Sequence, residues 1–131
     1  MNILKLIREI IINDPFLKQE VGNRIYFYKP TEVADKNNSF IVLNSVYDSP
    51  STFASNDYLS ESWLIQIDVE AYTEQKAIEV TKRIRRLMWD LDLKSTSSQL
   101  DDYFKETKRY VKSRRYEGIP KNQYYKGERV E

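Results

Sequence analysis

The sequence contains no cysteine and no histidine. Without cysteine there is no disulfide, no thiolate metal site and no cysteine nucleophile among its 131 residues. Without histidine, the commonest general base, the commonest metal ligand and every serine triad that depends on imidazole are excluded. We therefore expect that the protein is not an enzyme, and we predict no catalytic, metal-binding or cofactor-binding residue.

Glycine and long apolar segments are also scarce. The three glycines, Gly22, Gly118 and Gly127, are too few and too far apart for a phosphate-binding loop or a dinucleotide-binding fingerprint. The apolar runs are much shorter than a membrane span, and Arg8 and Glu9 interrupt the apolar N-terminal stretch. We expect a protein that stays inside the cell that makes it, without a membrane partner.

Residues 62–91 combine a strand pattern with a helix pattern. Within 63–71, apolar side chains recur at every second residue, as in a strand with one buried face. After Thr73, a suitable N-cap, the period changes, and the apolar residues of 77–91 form one stripe of an amphipathic helix with a basic outer face. A strand that leads directly into a helix predicts a sheet covered by helices on one side.

The remaining elements follow from the same two periodicities and from turn residues. Asp14 and Pro15 suit the start of a short helix, and the strand near residue 40 is apolar on both faces, which predicts an interior position in the sheet. The strand near residue 112 has few apolar side chains, which predicts a sheet edge. The predicted order is a helix over 2–13, a helical turn after 14, strands over 24–28 and 39–47, a long loop over 48–61, the strand and helix of 62–91, and a strand over 107–117 that pairs with part of 93–104.

Together these elements predict an α+β fold, a small mixed and mainly antiparallel sheet with two main helices packed on one face. The length allows one domain, which we place at 1–118. The polar composition of 119–131 predicts a flexible C-terminal tail.

Charge is distributed unevenly along the chain. Residues 105–131 contain nine Lys or Arg and four acids, a net charge of +5, so the preceding 104 residues carry −4. This division of charge suits either binding to nucleic acid or a contact between the basic edge of one subunit and the acidic edge of the next. For nucleic acid, the cations would neutralise phosphates and the bases would stack on Tyr103, Tyr110, Tyr116, Tyr124 and Tyr125.

Several stretches occur in an order that is typical of a known family. They are the helix that ends in NDPFL at 13–17, VGNRIY at 21–26, the strand FIVL at 40–43, QIDVEAYT at 66–73 and RRY at 114–116. This order resembles the tail-completion proteins of long-tailed bacteriophages, which are similar in fold to the lambda tail terminator. The resemblance covers about residues 3–117, and none of its motifs is catalytic.

Members of that family form hexameric rings at the head-proximal end of the tail tube, where they cap tube polymerisation and join tail to head. The resemblance implies a structural virion protein at the interface of tail and head, present in the host cytoplasm during assembly. The implied partners are other copies of the chain, the tail tube protein and a head completion or connector protein, with DNA contacted in the channel without sequence specificity. Tail-side terminators and head-side joining proteins remain alternatives.

A ring of identical subunits needs two different patches on each subunit. We predict that a basic patch on one copy meets an acidic patch on the next, with aromatic residues of the long loop beside it. The predicted interface comprises Arg109, Lys112, Arg114, Arg115, Asp48, Phe53, Asp57, Tyr58 and Glu61. The competing hypothesis is a small nucleic-acid-binding module that uses the basic, tyrosine-rich C-terminal segment and binds DNA in a strongly salt-dependent way.

Overall fold

The computed structural model describes residues 2–29, 38–54 and 57–120, with the exception of the side chains at 47, 49–54, 57–61 and 97–99. Within these residues it contains three helices and five strands. In chain order they are α1 (Ile3–Ile12), α2 (Pro15–Glu20), β1 (Ile25–Phe27), β2 (Phe40–Ala54), β3 (Asp57–Ala71), α3 (Glu74–Asp90), β4 (Leu93–Phe104) and β5 (Arg109–Gly118). The predicted tail at 119–131 lies outside the described residues from 121 onward.

The five strands form one sheet in the order β1-β2-β3-β5-β4. Strand β1 pairs with β2 in parallel, and the other three pairings are antiparallel. The prediction of a mixed, mainly antiparallel sheet is therefore confirmed, as is the interior position of β2.

The helices cover one face of this sheet. Strand β3 contributes Ile65, Ile67 and Val69 to a single apolar cluster, and α1, α2 and α3 each add buried side chains to it. Burial of this apolar face and of the apolar stripes of the helices drives the two layers together. The predicted α+β architecture is confirmed. None of the described helices is long and apolar enough to span a membrane.

Local signals define the helix starts as predicted. The Asp14 side chain accepts a hydrogen bond from the backbone N–H of Leu17 at 3.1 Å, with Pro15 in the first turn of α2. The Thr73 hydroxyl accepts from the N–H of Lys76 at 3.2 Å at the start of α3. Each side chain satisfies a backbone donor that has no partner inside the helix.

The predicted loop at 48–61 is wrong. Residues 48–54 and 57–61 extend β2 and β3 into a long antiparallel hairpin, paired from Phe40 opposite Glu70 to Ala54 opposite Asp57. The register shifts between Ser45 and Tyr47 and again beyond Pro50. Since cross-strand hydrogen bonds join backbone groups, a polar composition does not distinguish such a hairpin from a loop.

The predicted edge position of β5 is also wrong, because β5 lies between β3 and β4, and β4 forms the edge. The predicted pairing of this strand with 93–104 is confirmed. Its many cations suggested that its side chains are exposed to solvent, but Arg109, Val111 and Tyr116 are each buried. Polar partners on neighbouring strands accommodate several of the cations, and the sequence pattern of β5 alone contains no information about those strands.

Candidate interaction surfaces

The four predicted interface cations of β5 lie on opposite faces of the sheet. Successive residues of a strand point to opposite sides. Lys112 and Arg114 accordingly share the helix-bearing side with Tyr116, whereas Arg109 and Arg115 contact side chains of the helix-free side. The structure therefore does not bring the four together in one patch.

Lys112 and Arg114 both bind Asp101 of β4. The Lys112 Nζ lies 3.1 Å from Asp101 Oδ2, and the Arg114 Nη1 lies 2.6 Å from Asp101 Oδ1. The Arg114 hydrogen bond, more than that of Lys112, lowers the pKa of the Asp101 carboxyl below its ordinary value. The two cations are only 12% and 14% exposed. A contact with acids of a neighbouring subunit would have to share these cations with Asp101.

Arg109 belongs to the interior of the domain, with 2% of its surface exposed. Its guanidinium lies between the rings of Phe40 and Tyr72, 4.6 Å from each ring centroid. One of its nitrogens donates to the carbonyl oxygens of Asn38 at 2.8 Å and Glu70 at 3.2 Å. Cation–π contacts and hydrogen bonds compensate the loss of hydration. Because its side chain is buried, Arg109 is not exposed for a contact with another subunit, which the predicted interface would require.

Arg115 belongs to a polar row across the helix-free face. It donates to the side-chain oxygen of Gln66 at 3.0 Å, and Gln66 donates to Asp68 at 3.0 Å. Asn44 of β2 donates to the same carboxylate at 3.3 Å. This row joins three strands, so the polar alternation of β3 serves internal hydrogen bonding as well as contact with solvent.

The predicted acidic and aromatic partners lie along the β2–β3 hairpin. Asp48 is exposed, and its backbone pairs with Trp63. The backbones of Phe53 and Tyr58 are directly opposite each other near the end of the hairpin. The side chains of Phe53, Asp57, Tyr58 and Glu61 lie outside the described ones, so their roles stay predictions.

Three of the tyrosines proposed to stack on bases are described by the structure, and these three do not form one platform. Tyr116 is buried, and burial raises its pKa to about 12. Tyr103 and Tyr110 contact each other across β4 and β5, with ring centroids 4.7 Å apart. Tyr124 and Tyr125 lie outside the described residues. Tyr116 is therefore not available for base stacking.

A second basic surface lies at the C-terminal end of α3, and we call it the basic groove. It has a volume of about 450 Å³ and is lined by Lys82, Arg85, Arg86, Trp89, Lys94 and Ser95. Trp89 is 56% exposed, and Lys94 Nζ lies 5.1 Å from its ring centroid. The periodicity of α3 predicted its basic outer face, but only the fold brings Lys94 from β4 onto Trp89.

Helix α3 and strand β4 lie side by side, and the basic groove is at one end of this α3–β4 flank. A smaller hollow lies at the other end, and we call it the acidic depression. It has a volume of about 330 Å³ and is lined by Glu74, Asp101, Asp102, Tyr103, Tyr110, Val111 and Lys112. Among the described residues, no three Asp or Glu side chains are close enough together to hold a metal ion.

No protein-family model matches the sequence, and no curated protein matches it. A solved structure does: it is a chain in the virion of a native gene transfer agent (GTA) particle. The two chains are 9% identical, with a TM-score of 0.64, and the match covers 87% of this chain and 90% of the other. The two chains share a fold. At this identity the similarity concerns the fold alone, and it extends over nearly all of both chains.

Proposed function

We propose that the protein is a structural component of a phage-like virion. The observation that carries this proposal is its fold, which matches a chain of the gene transfer agent virion over most of both lengths. The tail-completion motifs, such as VGNRIY at 21–26, support the same assignment independently of the structure. Its surfaces, with charged and aromatic side chains side by side, suit contacts with other proteins.

In its finer form, the proposal is that the chain forms a hexameric ring at the head-proximal end of the tail tube, where it caps the tube and joins tail to head. A ring requires two complementary patches per subunit. The basic groove and the acidic depression are two such patches, separate and of opposite charge. Weak contacts between subunits suffice if the tube end binds several of them at once.

The test is the mass of the purified protein by light scattering over a range of concentrations, alone and mixed with tail tubes of the same particle. We expect either a hexamer, or a monomer that becomes a ring at tube ends seen by electron microscopy. A protein that stays monomeric at every concentration and does not bind tubes would contradict the proposal.

The alternative, a nucleic-acid-binding module, receives less support from the C-terminal segment than its composition suggested. Arg109 and Tyr116 are buried, and Lys112 and Arg114 already bind Asp101. A salt titration with duplex and single-stranded DNA tests this alternative, because binding through phosphates falls steeply as salt rises.

A further inference from the structure

Three of the four cations that line the basic groove have no acidic partner among the described residues. Lys82, Arg85 and Lys94 make no ion pair within the described part of the chain, and Arg86 has only a 3.8 Å contact with the largely exposed Asp90. Like charges in one hollow repel each other unless an anion enters it. With the exposed Trp89 beside them, these side chains have the composition that suits contact with carboxylates and an aromatic side chain of another surface.

The acidic depression has the complementary composition. Glu74 and Asp102 are exposed and have no cation within ion-pair distance in the described residues, whereas Asp101 is neutralised by Lys112 and Arg114. Tyr103 is 41% exposed beside them. An exposed aromatic side chain therefore occurs at both ends of the α3–β4 flank beside charges that have no ion-pair partner in the described part of the chain, and these charges are of opposite sign at the two ends.

The geometry keeps the two patches apart within one chain. Helix α3 has 17 residues, so it is about 25 Å long at about 1.5 Å per residue. The basic groove is lined by the second half of α3 and the start of β4, and the acidic depression by the start of α3, the end of β4 and the start of β5. The two patches of one subunit cannot meet each other, but they can meet those of neighbouring copies.

We propose that the acidic depression of one copy docks into the basic groove of the next. Glu74 and Asp102 then pair with Arg85 and Arg86, and Tyr103 lies against Trp89. Each copy uses one patch on each side, which is the head-to-tail contact that closes into a ring when the rotation between copies is right. This inference rests on the proposed ring assembly and identifies the two surfaces that meet in it.

The experiment is a charge exchange between two variants. Arg85→Glu with Arg86→Glu places acidic side chains at the paired positions of both patches, and Glu74→Lys with Asp102→Lys places basic side chains at these positions of both. Each variant alone should associate at least about tenfold more weakly than the wild-type chain, because like charges then meet at the contact. A one-to-one mixture should recover assembly, since the two variants alternate around the ring with opposite charges at the paired positions of every contact.

Assembly is measured by sedimentation velocity of the protein alone at about 50 mM salt, where screening is weak. It is also measured by counting capped ends of tail tubes in electron micrographs. The matched control is Lys5→Glu with Lys18→Glu, which makes the same change in net charge at exposed positions outside the groove and should assemble like the wild type. Circular dichroism checks that every variant is folded.

The outcomes separate this inference from the proposed function. If the wild type forms rings or caps tubes and either variant does so equally well, or if the mixture stays unassembled, the docking assignment is overturned and the ring function stands. If the wild type neither associates nor caps tubes, both are overturned. Loss of assembly in both variants with recovery in the mixture supports the assignment.

Discussion

Asp14 joins two helices, and its removal provides the sharpest test of how the helical layer is held together. The carboxylate is 5% exposed, caps α2 through the N–H of Leu17, and accepts a hydrogen bond from Arg83 Nε of α3 at 2.8 Å. Asp14→Ala removes both interactions. Asp14→Asn keeps an oxygen for the cap and removes the charge.

The two interactions have separate magnitudes. Loss of an N-cap costs about 1 kcal/mol of the free energy of unfolding. The charged hydrogen bond would contribute about 2 kcal/mol if buried, but Arg83 is 43% exposed, so we discount it to about 1 kcal/mol for solvent screening. We therefore expect a loss of about 2 kcal/mol for Asp14→Ala and about 1 kcal/mol for Asp14→Asn.

The assay is urea unfolding followed by circular dichroism at pH 7, with stability taken from the midpoint at unchanged slope. Asp90→Asn is the control, because it removes an exposed carboxylate with only a 3.8 Å contact to Arg86 and should change stability by less than about 0.5 kcal/mol. If Asp14→Ala costs no more than this control, or no more than Asp14→Asn, the reasoning is refuted.

The pH dependence gives an independent check. The hydrogen bond from Arg83 is the main cause that holds the pKa of Asp14 below its ordinary value. Because the folded pKa is the lower one, the stabilisation is present above the unfolded pKa of about 3.9 and is lost as pH falls through the folded pKa. The stability difference between wild type and Asp14→Asn should therefore shrink below about pH 4.

Two further substitutions test positions at which tertiary contacts determine the local structure. Arg109→Ala should destabilise the protein by about 3 kcal/mol in urea unfolding, because it removes a buried cation that stacks on Phe40 and binds two backbone carbonyls; a loss below about 1 kcal/mol would contradict the burial of this side chain. Gly118→Ala should lower the free energy of unfolding by more than about 2 kcal/mol, since a Cβ there would lie 2.0 Å from the carbonyl oxygen of Asp92. An unchanged midpoint of urea unfolding would show that β4 and β5 approach each other less closely.

The sequence alone determined the elements that depend on near neighbours. The start of α2 at Asp14 and Pro15, the start of α3 after Thr73 and the buried stripe of α3 were all predicted correctly. These features depend on hydrogen bonds and periodicities that span three or four residues, so a linear pattern contains them. The helix-covered face of β3 followed from its alternation for the same reason.

The tertiary structure decided every feature that depends on which strands are neighbours. It placed β5 inside the sheet, extended β2 and β3 through a polar segment, and buried Arg109 between rings that lie 69 and 37 residues away in the chain. It also brought Lys94 onto Trp89 and placed opposite charges at the two ends of the α3–β4 flank. Strand pairing joins residues that are distant in the chain. A charged side chain that the pattern of its own strand predicts to be exposed therefore acquires its partners only when the sheet forms.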